Sequence, residues 1–168
     1  MWFARFAPAL AAEFGREWAR SLGGTVWMAE DSSEACAYLQ AAPRLPMPPQ
    51  TSLVRLTRTL FLAGEAHRRD APWHYTVATD VVPADEADFN AWYDTEHLPG
   101  LAAVAGVVGA MRCRVVEGIG PRYHAGYDLA DRQAFNSPAW LAVRGTPWSS
   151  RVRPSFVNTR RTMYRRWP

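Results

Sequence analysis

Residues 73–82 read WHYTVATDVV and residues 83–100 continue PADEADFNAWYDTEHLPG. The first run is β-branched and aromatic, which predicts a strand over 73–82. Pro83 and Asp85 supply a helix start, with acidic residues across the first turn where the helix dipole favours them. Phe89, Trp92, Tyr93 and His97 then recur at helical spacing and give the helix one buried face. Pro99-Gly100 is expected to stop or kink it. Further on, Val107–Val116 and Arg122–Leu129 read as strands joined by the turn EGIGP (117–121). Asp131–Val143 reads as helical, broken at Pro138, and Ser155–Trp167 as a last strand. The order is β-α-β-β-α-β, a ferredoxin-like split unit of the α+β class.

The first 63 residues look like a worn copy of this unit. Trp2–Phe6 and Thr25–Ala29 are strand-like, Ala9–Leu22 is helical with Phe14 and Trp18 on one face, Ser32–Ala42 reads as a second helix, and Ser52–Leu62 as a strand. By this count one strand is missing. The stretch SLVRLTRT (52–59) lies close to SFVNTRRT (155–162), sharing Ser, Val, Arg and Thr at matched positions, which predicts a degenerate tandem repeat. The expected division is 1–63 for the degenerate half and 73–168 for the half that carries the site, with loops at 43–50 and 64–72.

Composition narrows the function classes. All nineteen basic residues among the 168 are Arg, so lysine Schiff-base chemistry and a Walker-type phosphate loop are excluded. The net charge is only +3, and the arginines at 160, 161, 165 and 166 fall in a predicted strand without a nucleic-acid motif around them, so no nucleic-acid partner is expected. No run approaches the roughly 18–20 apolar residues of a membrane span, and no signal peptide is evident at Met1–Pro8, so no membrane partner and a cytoplasmic location are expected. Cys36 and Cys113 have neither disulfide nor metal-knuckle spacing and read as small buried hydrophobes. The four histidines show no paired ligand spacing.

Strand alternation groups the side chains of the second half. His74, Thr76, Ala78 and Asp80 share one face of their strand, Arg112 and Arg114 one face of the next, and His124 and Asp128 one face of the third. These titratable faces form either a partly enclosed polar cavity or an ordinary wet sheet. On the helix, Asp94 and His97 are three residues apart and are expected to touch. A carboxylate beside an imidazole fixes its tautomer and raises its basicity, which suits a general base. Asn90 lies one turn before Asp94 and could orient it. The other reading of His97 is a buried structural histidine that holds the helix end.

FNAWYDTEHLPGLAAVAGVVGAMRCRV (89–115) followed by GPRYHAGYDLA (120–130) resembles the EthD-like branch of the dimeric α+β barrel superfamily, over about Trp73 to Pro168. The resemblance implies antiparallel sheets stacked as a dimeric α+β barrel, formed by a homodimer or by the two halves of one chain, around a small, often aromatic or carbonyl-bearing ligand. It departs in the N-terminal half, which has no His-Pro, so one of two pseudo-equivalent sites is expected to work.

Three functions follow. The first is a cofactor-free proton-transfer enzyme of cyclase, isomerase or dehydratase type, with His97 as base, Asp94 as its orienting partner, Arg112 or Tyr123 at a developing enolate oxygen, and Tyr93, Trp92, Asn90 and His74 binding substrate. The second is a non-catalytic small-molecule-binding or structural protein. The third, haem binding through His97 or His74, has no other feature behind it.

Overall fold

The computed structural model describes residues 1–8, 23–42 and 51–167. The expected helix at 9–22 and the whole loop at 43–50 lie outside the described residues. The described residues form eight strands: β1 (Trp2–Phe6), β2 (Thr25–Ala29), β3 (Ala35–Leu39), β4 (Ser52–Ala63), β5 (Trp73–Val81), β6 (Val107–Gly118), β7 (Tyr123–Leu129) and β8 (Phe156–Arg166). They form one closed barrel in the order β1-β3-β2-β8-β5-β7-β6-β4, every pairing antiparallel. Within residues 1–63 the spatial order is fourth, first, third, second strand. Within 73–168 it is the same. The two sets join at β2–β8 and β4–β6, so the barrel closes inside one chain and, among the described residues, no strand edge is left open.

Ser32–Ala42 is not a helix. Ala29 N–H bonds to the Glu34 carbonyl at 2.9 Å, and Asp31 Oδ1 accepts the Ser33 N–H at 3.0 Å with Ser32 at a φ of +59°. This is a tight turn that folds Ala35–Leu39 back as β3 between β1 and β2. Its alanines favour a helix in isolation, but four of its five residues are buried, and burial between two partner strands overrides that preference. β3 makes up the count of four strands, but it follows Thr25–Ala29 and stands where a helix is expected, instead of preceding Thr25.

The helices of the second half cover one side of β5–β8. α1 (Glu86–Trp92) runs into a single π turn (Tyr93–His97) and on into α2 (Leu98–Ala102). Pro99 does not end the helix. Without an N–H it cannot bond to the Thr95 carbonyl, and the Leu98 N–H reaches back five residues to the Tyr93 carbonyl, widening the turn. Gly100 lies under Val143, where a Cβ would come within 2.9 Å of a side-chain methyl. α3 (Pro138–Arg144) and α4 (Pro147–Val152) begin at Ser137 and Thr146, whose hydroxyls accept the Trp140 and Ser149 N–H groups. Pro138 sits at the start of α3, where proline fits, so it opens a helix instead of breaking one. α4 had no counterpart in the sequence reading.

Two apolar clusters flank this part of the barrel wall. Between helices and sheet lie Tyr75, Phe89, Trp92, Leu101, Tyr127 and Trp140, among others. Inside the barrel, Phe3, Trp27, Cys36, Leu56, Cys113 and Tyr164 meet from six different strands. Both cysteines are buried and free, as small hydrophobes would be.

Candidate functional site

Strand pairing redistributes the expected titratable face. Arg112 pairs with Ala125, Arg114 with Tyr123, and Cys113 with His124. Directly opposed residues share a face, so Arg112 and Tyr123 point toward the helices while His124 points into the barrel. Alternation along single strands separates two faces on each; only the pairing says which faces join.

His74 also belongs to the barrel interior. Its ring is 2% exposed, with Nδ1 2.7 Å from Asp128 Oδ1 and Nε2 3.1 Å from the Tyr38 hydroxyl. A hollow of about 240 Å³ opens beside it, between Trp27, Tyr38, Met111 and Asp128. The barrel wall separates His74 from the helix that carries His97, so the two do not act on one ligand.

Asp94 does not reach His97. Asp94 Oδ1 accepts from Arg112 Nη1 at 2.7 Å, and Asn90 Oδ1 accepts from Arg112 Nη2 at 2.5 Å. The guanidinium, only 4% exposed, is ringed by Phe89, Tyr93 and Tyr123 at 4.8–5.2 Å. The Tyr123 hydroxyl donates to Glu86. Asn90, Asp94, Arg112 and Tyr123 therefore form one polar clasp between α1 and the sheet. The π turn explains the failed contact: residues three apart meet on an α-helix, and the wider turn rotates position 97 away from position 94.

His97 lies on the other side of Tyr93. Its ring is 7% exposed, stacks on Trp92 with centroids 4.1 Å apart, and meets Tyr93 edge-on at 5.1 Å. It faces the helix–sheet layer, not a space between two sheets. Beside it is a void of about 30 Å³, bounded by Tyr75, Trp92, Tyr93, Tyr127 and Trp140, with Arg144, Arg153 and Arg161 among its walls. That volume holds about one water molecule. The His97 Nδ1, Trp92 Nε1 and Trp140 Nε1 atoms are buried without a hydrogen-bond partner.

Electrostatics follow from this enclosure. Burial, then Arg144 and Arg153, push the His97 imidazole down to about 3, so the ring is neutral at physiological pH. Burial pushes the Tyr93 hydroxyl up to about 12 against the pull of Arg112 and Tyr127, and burial raises Tyr75 and Tyr127 too. The Arg153 guanidinium is lowered by burial and by its neighbours Arg144 and Arg161. The site thus combines an uncharged imidazole, phenolic donors and three cations.

Of the expected site residues, only Trp92, Tyr93 and His97 share this void. Tyr75 and Tyr127 complete it because they are directly paired across β5 and β7, a relation that neither strand displays by itself. Arg144 and Arg153 carry no sequence signal, and Arg161 stands out only as part of the arginine run at 160–166. Among the described residues no group of three or more His, Cys, Asp or Glu is arranged to hold a metal ion, and no helix is long and apolar enough to cross a membrane.

No model of a known protein family matches the sequence, and no curated protein sequence is similar to it. Solved structures are similar. An anthrone oxidase-like protein superposes with a TM-score of 0.67 at 17% identity, over 99% of this chain and 90% of that one. A haem-degrading enzyme from Listeria monocytogenes gives 0.61 at 7% identity, over all of both chains. A ferredoxin-fold protein related to antibiotic biosynthesis monooxygenases, also from Listeria monocytogenes, gives 0.61 at 8%, over 100% of this chain and 95% of that one. At these identities the likeness concerns the fold, and the fold is the ferredoxin-like α+β barrel of the dimeric α+β barrel proteins.

Proposed function

We propose that this chain is an EthD-like, cofactor-free enzyme that moves a proton on a small aromatic or carbonyl-bearing metabolite, with the void beside His97 as its site. The observation that carries this reading is the neutral His97 ring, with an unpartnered nitrogen, among phenols and arginines. In the proposed step, a ring nitrogen of His97 takes a proton from carbon next to a carbonyl, leaving an enolate and an imidazolium; the imidazolium then returns the proton to the ligand. The Tyr93 and Tyr127 hydroxyls and the arginines replace Arg112 and Tyr123 as donors to the enolate oxygen. Burial, and after it Arg144 and Arg153, weakens His97 as a base; an enolate formed beside the arginines offsets the charge part of that effect. Trp92 and Tyr93 position the ring, while Asn90, Asp94 and Arg112 hold the helix in place. The ligand is a small molecule, the expected setting is cytoplasmic, and a homodimer, where it forms, is not needed to close the barrel.

A non-catalytic role is the second reading, favoured by the small size of the void and by the stacking of His97 on Trp92. Haem fits poorly. Both nitrogens of His74 are already engaged, and a porphyrin beside His97 requires the helices to lift off the sheet.

The test is deuterium incorporation from D2O into a panel of enolisable aryl ketones. Wild-type protein is expected to accelerate exchange on at least one of them, and His97→Gln to lower that rate about 100-fold or more while remaining folded. No exchange above buffer on the whole panel, with His97→Gln losing only stability, supports the non-catalytic reading.

A further inference from the structure

We infer that the ligand of the His97 void is a planar aromatic anion, its charge held by Arg144, Arg153 and Arg161 and its ring lodged among Tyr75, Trp140 and Phe156. This rests on the void being the ligand site and adds what the ligand must be.

The charge argument comes first. Arg112, Arg122, Arg132, Arg151, Arg160 and Arg166 each have a carboxylate partner within ion-pair distance. Arg144, Arg153 and Arg161 have none among the described residues; the same holds for Arg58, Arg68, Arg69, Arg114 and Arg165, but these three line one void. Arg144 donates to Asn136 Oδ1 at 3.4 Å, and Arg153 to the Arg144 carbonyl at 3.5 Å. Three like charges converging on one void repel one another, and a bound anion removes that repulsion. A guanidinium fork matches the two oxygens of a carboxylate or the oxygen of a phenolate or enolate.

The inner wall points the same way. Trp92 Nε1 and Trp140 Nε1 are buried donors without acceptors. A buried donor left unpaired costs about 1–3 kcal/mol, and native proteins keep few of them. Acceptor oxygens on a guest would satisfy them. Around these groups the wall is aromatic: Tyr75 and Tyr127 each meet Trp140 edge-on, with centroids 6.1 and 5.3 Å apart, and ring faces and edges of this kind pack against an aromatic guest better than against a tetrahedral anion.

Admitting a ring means enlarging a water-sized void, and one side can yield. Arg161 is exposed, and Arg144 and Arg153 are only half-buried, on long flexible stems. The Trp92–His97 side is held by stacking.

The experiment is calorimetric titration of the full chain with benzoate and salicylate, against neutral benzamide as control. Benzoate is expected to bind at least tenfold more tightly than benzamide. Arg161→Gln, at an exposed strand position without a partner, and Arg153→Gln are each expected to weaken benzoate tenfold and leave benzamide unchanged. Equal binding of benzoate and benzamide, no benzoate binding, or unchanged benzoate affinity in both folded variants would overturn the inference. Benzoate binding without proton exchange on the ketone panel removes the enzyme reading and leaves this one standing; exchange without benzoate binding does the reverse.

Discussion

Arg112 Nη1 lies 2.7 Å from Asp94 Oδ1, and this ion pair holds the carboxylate away from His97. The two partners are unequal: the Arg112 side chain is 4% exposed and that of Asp94 48%. Asp94→Asn leaves the enclosed guanidinium without its counter-charge, although the amide oxygen still accepts, whereas truncating the buried cation empties the space between three rings. Asp94→Asn is therefore expected to cost about 1–3 kcal/mol and to change the His97-dependent exchange rate by less than about threefold. Arg112→Ala is expected to cost about 3 kcal/mol through lost packing. Urea unfolding and the exchange assay check both. A hundredfold loss of rate in Asp94→Asn would restore the carboxylate as the partner of His97.

Acid should destabilise the fold through its buried histidines. The His97 ring is lowered by burial, then by Arg144 and Arg153, from 6.5 to about 3; burial, then Arg5, lowers His124 to about 4. Above pH 6.5 both rings are neutral whether the chain is folded or not, and stability is complete. As pH falls toward these values the unfolded chain takes up protons that the folded one refuses, so stability falls. His97 alone accounts for on the order of 3 kcal/mol by pH 4. His97→Gln should reduce the difference between the unfolding free energies from urea melts at pH 7 and pH 4 by about that much. An unchanged difference contradicts the buried, neutral ring.

Gly64 ends β4 where the two strand sets join. A Cβ there would sit 2.1 Å from the Val107 carbonyl oxygen, with other backbone atoms of that strand within 2.8 Å. Gly64→Ala is expected to cost at least about 2 kcal/mol, whereas Gly120→Ala, which meets only a Val54 methyl at 3.6 Å, should stay within about 0.5 kcal/mol. Equal melting temperatures for the two variants would contradict the close strand contact.

Because β2–β8 and β4–β6 pair within one chain, folding should not depend on a second copy. The melting temperature is expected to stay constant over a hundredfold range of protein concentration, where an obligate dimer would lose stability on dilution.

The strands of the second half were legible because β-branched runs, the EGIGP turn and the Pro83–Asp85 helix start agree with one another. The matched SLVRLTRT and SFVNTRRT segments are β4 and β8, fourth strands of two sets with the same spatial order; we propose that they descend from one duplicated unit. β3 was illegible because Ala35–Leu39 has helical composition and becomes a strand only between two partners. The site was half legible. Helical spacing gave the inward turn of His97 and its neighbours Trp92 and Tyr93. The Asp94 contact failed because it assumed an unbroken α-helix, and Pro99 widens the turn. Arg112 was placed with the wrong neighbours because cross-strand pairing is not written in any single strand. The arginines at 144, 153 and 161 come from three separate elements and meet only in the fold.

The protonation state of His97 tests the account most directly. NMR titration of ring-labelled histidine should show the His97 imidazole neutral from pH 8 to below about 4, with its resonances moving when benzoate is added and staying still with benzamide. An imidazole that titrates near 6.5, or one indifferent to either compound, would contradict a sealed neutral ring at a ligand site.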